Sequence, residues 1–106
     1  MNFLYCIDEN YNFQCYISIC SLIKFTKQDL EIHIIHKDPS TFLVYSSKIQ
    51  NKYDNVKISI YKFTGKIPSS HSMDPKKDKH LSEATYYRLY ISDYLSSEIE
   101  NITYID

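Results

Sequence analysis

Glycine is nearly absent from this chain: Gly65 is the single one among 106 residues. Phosphate cradles of the Walker and dinucleotide-binding types need several glycines at fixed spacing, so neither can be written here. An excess of one charge sign is missing as well, with 12 basic residues against 13 acidic ones. Nucleic acid binding needs a basic surplus on one face, and no nucleic acid partner is expected. No apolar run approaches the roughly 18–20 residues of a membrane span. The N-terminus also lacks the basic-then-apolar pattern of a secretory signal, so a soluble, cytoplasmic chain is expected. Cysteine offers no framework: Cys6, Cys15 and Cys20 are an odd set, without a Cys-x-x-Cys pair or a histidine at zinc-finger spacing. All three sit in apolar runs, as small core side chains of a reducing compartment do.

What is present is ordinary globular material, 43% apolar and 24% charged, which sets the chain apart from disordered ones. Its length favours one domain with a single core. Phe3-Leu4-Tyr5-Cys6-Ile7 is a short apolar run, as in a strand buried on both faces. Asp8-Glu9-Asn10 then supplies turn and capping residues. From about Asn12 to Phe25, Phe13, Tyr16, Ile17, Cys20 and Ile23 recur at helical spacing, widened by Cys15, Ile19 and Leu22, which predicts a helix laid on a sheet. Leu30 to His36 reads as a second strand, with His33 and His36 on opposite faces and unable to share a metal. Asp38-Pro39 opens a second helix, with Asp38 as cap and Pro39 in the first turn; Phe42, Tyr45 and Ile49 mark its buried side. Val56 to Phe63 alternates as a third strand with one side more exposed. Thr64 to Lys79 has no period, and long aperiodic connections are often functional or mobile. A helix from about Ser82 to Leu95 and a closing strand, Asn101 to Asp106, complete a β-α-β-α-β-loop-α-β order. That order predicts a parallel α/β sheet.

In open parallel sheets, ligands sit beyond the carboxyl ends of the strands. Asp8 follows the first strand and Asp106 ends the last, so parallel strands would bring both acids and the turn through Tyr11 to one rim. On the predicted third helix Thr85, Arg88 and Ser92 share a polar stripe, because residues three and four apart lie on one face. An arginine there suits planar, bidentate recognition of an anion such as a phosphate. Each residue also has a plainer use. Asp8 and Asn10 can simply cap the following helix, Arg88 can make a surface ion pair with Glu83 or Asp93, and Lys76, Lys77 and Lys79 can be a wet surface.

The segment HLSEATYYRLYISDYL, followed by ITYID, resembles the middle of family 8 glycosyltransferases, a group that includes bacterial lipopolysaccharide galactosyl- and glucosyltransferases. FLYCIDENY is similar to that family's first strand and nucleotide-binding turn, and the words occur in the family's order along the whole chain. The resemblance implies a Rossmann-like, mostly parallel sheet: the N-terminal nucleotide-binding half of a GT-A glycosyltransferase domain. It implies retaining transfer of a hexose from a UDP-sugar to a saccharide acceptor, with Mn2+ or Mg2+ bridging the diphosphate. By the same resemblance, Ile7, Asp8, Asn10 and Tyr11 bind the nucleotide, His80, Thr85 and Arg88 the donor and phosphate, and Asp106 the metal. Peripheral attachment at the inner membrane face is left open.

Asp106 matches the first acid of the family's Asp-x-Asp motif, and the sequence ends there. Residues 1–106 are therefore expected to be a single partial domain, inactive alone, with no catalytic residue of its own and an uncovered sheet prone to self-association. The alternative is a truncated remnant or a non-catalytic interaction module of the same fold. A flavodoxin-like or receiver-type domain shares the β-α-β rhythm, but its phosphate loop and acidic pocket are not visible in the sequence.

Overall fold

In a computed structural model, residues 1–65, 84, 87 and 90–105 are described. Four strands, β1 (Asn2–Ile7), β2 (Leu30–His36), β3 (Val56–Lys62) and β4 (Thr103–Ile105), form a sheet of order β3-β2-β1-β4. Every pairing is parallel. Phe3 lies opposite Ile32 on one side and Thr103 on the other, and Ile35 lies opposite Tyr61. The helices are α1 (Asn12–Phe25), α2 (Leu43–Lys52) and α3 (Ile91–Tyr94). This is the expected Rossmann-like α/β arrangement.

Strand alternation gives the sheet two separate cores. Phe3, Tyr5, Ile7, Ile32 and Ile34 face Cys15 and Ile19 of α1 and Phe42 and Ile49 from the α2 side. Leu4, Cys6, Ile35 and Phe63 face the other way and pack with Ala84, Tyr87, Tyr90 and the α3 residues Ile91 and Tyr94. Phe63 anchors this second core: its ring stacks on Tyr87 at 4.0 Å and meets Tyr90 edge-on at 5.4 Å. The Thr64 N–H donates to the Tyr94 hydroxyl at 2.9 Å, tying the exit of β3 to α3. Gly65 suits this corner because a Cβ there would come within 3.1 Å of Phe63 Cζ. Close approach, not backbone handedness, is the reason for the one glycine.

Three sequence expectations need correction. Phe13 and Ile17, read as part of the buried stripe of α1, are 59% and 47% exposed, whereas Cys15 and Ile19 are 4% and 0%. The helix is rotated so that Asn12, Cys15 and Ile19 face inward. The reason is polar: Asn12 bonds to the β2 end of the molecule, and the Ser18 hydroxyl meets the Tyr5 hydroxyl at 2.7 Å. Second, Asp38 does not cap a backbone N–H with its side chain. It precedes a 3-10 turn, Pro39–Phe42, and its Oδ1 accepts from the Ser40 hydroxyl instead. Third, of the helix expected from about Ser82 to Leu95, the described residues are α-helical only over Ile91–Tyr94; Ala84, Tyr87 and Tyr90 have 3-10 conformation, and Leu95 has extended backbone, φ −99° and ψ 148°. Thr85 and Arg88 lie outside the described residues, as does most of the Thr64 to Lys79 connection.

Candidate functional site

The topology itself marks a place. β1 runs between β2 and β4; the chain winds outward from β1 through β2 to β3, then returns to the opposite side of β1 as β4. The winding direction therefore reverses at the β1–β4 boundary. In parallel α/β sheets the connections leave a crevice at such a switch point, beyond the carboxyl ends of the strands.

Asp8 stands at the carboxyl end of β1, at this switch point. It is 7% exposed, has extended backbone, and its Oδ1 accepts the Asn10 N–H at 2.9 Å. That bond starts a 3-10 turn, Glu9–Tyr11, closed by the Tyr11 N–H on the Asp8 carbonyl at 3.1 Å. The plain use of Asp8 as a cap is thus real for one carboxylate oxygen. Asn10 is exposed, and the Tyr11 side chain is 39% exposed. An amide and an aromatic face are presented along one turn, a set that can hydrogen-bond and stack a planar heterocycle. Ile7 is buried behind the turn, and its carbonyl accepts the Lys37 N–H at 3.3 Å. β4 runs parallel to β1 and ends at Ile105 beside Tyr5, so its carboxyl end lies on the same edge as Asp8. His80, Thr85, Arg88 and Asp106 lie outside the described residues.

Sequence reasoning missed the polar ring beneath this turn. The Asp38 N–H donates to His36 Nδ1 at 2.8 Å, and His36 Nε2 lies 2.7 Å from Asn12 Oδ1. Asn12 Nδ2 donates to the Thr41 hydroxyl at 2.9 Å, and that hydroxyl donates to the Asp38 carbonyl at 2.8 Å. Because Nδ1 accepts a backbone N–H, the ring proton sits on Nε2, and His36 is neutral. The signal was available in the alternation. His36 falls on the face of Leu30, Ile32 and Ile34, and a polar side chain on a buried face must find partners.

His33 lies on the opposite face: Nε2 donates to Asn2 Oδ1 at 3.2 Å, and Nδ1 lies 3.1 Å from the Tyr61 hydroxyl. Burial lowers the pKa of both histidines from the ordinary 6.5, while nearby Glu31 opposes this at His33 and Glu9, Asp38 and Asp8 oppose it at His36. The unfolded chain then takes up these protons first as the pH falls, so folding stability rises with pH in that range. Stability is expected to be full above about pH 6.5 and to decline from there down to the folded-state values. Urea unfolding across that window checks the direction.

A concavity of about 780 Å³ lies at the other end of the sheet, lined by Asn2, Glu31, His33, Lys57, Ser59 and Tyr61 together with Ser96 and Glu98 to Asn101. It opens near the amino ends of the strands, away from the switch point. The carboxyl edge is the candidate site. Among the described residues no group of three or more His, Cys, Asp or Glu side chains is placed to hold a metal ion. Hard cations need several oxygens in fixed geometry, so the described part of the edge makes no complete cation site. No helix among the described residues is long and apolar enough to cross a membrane.

A comparison with family models gives one match, Glycosyl transferase family 8, over residues 2–106. The chain belongs to glycosyl transferase family 8. No curated protein and no solved structure gives a significant match. Family 8 membership makes this a glycosyltransferase chain, with a nucleotide-sugar donor and a saccharide acceptor, in a family that generally uses a divalent metal. By the general rule for open α/β sheets, the carboxyl edge is the candidate place for a ligand of this chain.

Proposed function

We propose that the chain binds the UDP part of a UDP-hexose at the β1–β4 carboxyl edge, for transfer of the hexose to a saccharide acceptor with retention. The observation that supports this reading is the reversal of winding at β1, with the Asp8 turn on the same edge as the end of β4. Asp8 and Asn10 hydrogen-bond uracil and ribose, and Tyr11 stacks on the base. His80, Thr85 and Arg88 hold the diphosphate and sugar, the guanidinium offsetting phosphate charge. Asp106 would be among the residues holding the divalent cation, Mn2+ or Mg2+. Bound there, the cation would supply Lewis-acid stabilisation of the departing diphosphate.

Titration calorimetry with UDP tests the assignment. Binding that Mn2+ strengthens is expected. Asp8→Ala should weaken it roughly 10- to 100-fold, as loss of hydrogen bonds to a charged group does. Tyr11→Ala should weaken it roughly 5- to 100-fold through lost stacking. Absence of UDP binding by the folded chain would remove the proposal and favour the non-catalytic interaction module.

A further inference from the structure

Asn12 belongs to two structures at once. Its backbone N–H closes the Glu9–Tyr11 turn on the Glu9 carbonyl, and its side chain lies in the ring with His36 and Thr41. It is 8% exposed, and His36 is fully buried. The bond between them, at 2.7 Å, ties the start of α1 to the end of β2. We propose that Asn12 and His36 are positioning residues for the nucleotide-reading turn: neutral His36 holds Asn12 through Nε2–H, and Asn12 in turn holds the turn that carries Asn10 and Tyr11. This rests on the assignment of that turn to the nucleotide.

The hydrogen-bond directions make the arrangement sensitive to one proton. Nδ1 of His36 accepts the Asp38 N–H at 2.8 Å. A proton added at Nδ1 would set donor against donor at that distance, and the imidazole would have to move away from Asp38. Moving the ring breaks its bond to Asn12, because the same rigid plane carries both nitrogens. The charged groups around His36 are Asp8 and Glu9 from the turn after β1, Asp38 from the turn after β2, and Lys62, its register partner on β3. The three acids favour the proton and burial opposes it; burial is the larger effect and holds the pKa below the ordinary value. The turn therefore stays assembled at neutral pH and loosens on the acid side.

UDP-glucose is the probe, because its phosphodiester groups do not titrate between about pH 5 and pH 7.5 and any change in affinity comes from the protein. For the natural sequence, affinity is expected to fall about tenfold as the pH is lowered through the His36 titration, the worth of one good hydrogen bond. His36→Gln retains an N–H for Asn12 without a titrating group, and should flatten the profile. Asn12→Asp sets a carboxylate against Nε2, favours the imidazolium, and should move the midpoint to higher pH. Thermal melts of each variant at about pH 7.5 verify folding. The protection of the Asn10 and Tyr11 amides against exchange, corrected for the intrinsic pH dependence of exchange and measured without ligand, should fall on acidification in the natural sequence and not in His36→Gln. Binding that is indifferent to pH, or variants that leave the profile unmoved, would overturn the positioning role while leaving the nucleotide assignment intact. No UDP-glucose binding at any pH would overturn the nucleotide assignment, and the positioning role with it.

Discussion

Replacing Phe63 with alanine is expected to cost about 3–5 kcal/mol of folding stability, the range for removing a buried aromatic ring. The ring is 8% exposed and is the common neighbour of Tyr87, Tyr90 and Tyr94, at centroid distances of 4.0, 5.4 and 6.0 Å. These contacts hold Tyr87, Tyr90 and Tyr94 to the sheet, where Leu4, Cys6 and Ile35 belong to the same cluster. Urea unfolding should show the loss, and Phe63→Leu, which retains most of the apolar volume, should cost about 1.5 kcal/mol or less. If leucine costs as much as alanine, apolar volume is not what closes this face and the stacked ring itself is. A Gly65→Ala change acts on the same ring from outside, since its Cβ would stand 3.1 Å from Phe63 Cζ.

Phe42→Ala should produce a loss of similar size, about 3–5 kcal/mol, with a second effect that Phe63 lacks. Phe42 is fully buried, 5.6 Å from the Tyr45 ring and 6.2 Å from the His36 ring. Its removal opens a void beside the imidazole. Water entering there would relieve the burial that depresses the His36 pKa. The expected outcome is a lower unfolding midpoint together with a His36 pKa moved up toward about 6.5 in an NMR titration. An unchanged His36 pKa in a folded Phe42→Ala protein would show that the surrounding backbone, not the Phe42 ring, keeps water out.

The fold was legible in the sequence to the extent that alternation and spacing are local. Strands at Phe3 to Ile7 and Leu30 to His36, the helix from Asn12 to Phe25, and the position of Asp8 after the first strand all follow from runs shorter than fifteen residues. The rotation of α1 was not legible. Apolar residues lie on more than one side of that helix, so spacing alone permits Phe13 and Ile17 inside as readily as Cys15 and Ile19. Two polar contacts from residues far apart in the chain, Asn12 with His36 and Tyr5 with Ser18, select the latter.

By itself the sequence determined the class: a parallel α/β sheet with an acid-amide-tyrosine turn after its first strand, because each of those features is written within one continuous stretch. Only the tertiary structure decided which strand stands beside which. It set β4 against β1 and thereby placed the switch point at Asp8. It also turned two ordinary residues, Asn12 and His36, into one buried hydrogen-bonded unit. They are 24 positions apart. No local pattern couples side chains at that separation; only the return of β2 alongside β1 brings the end of one strand beside the turn that follows the other.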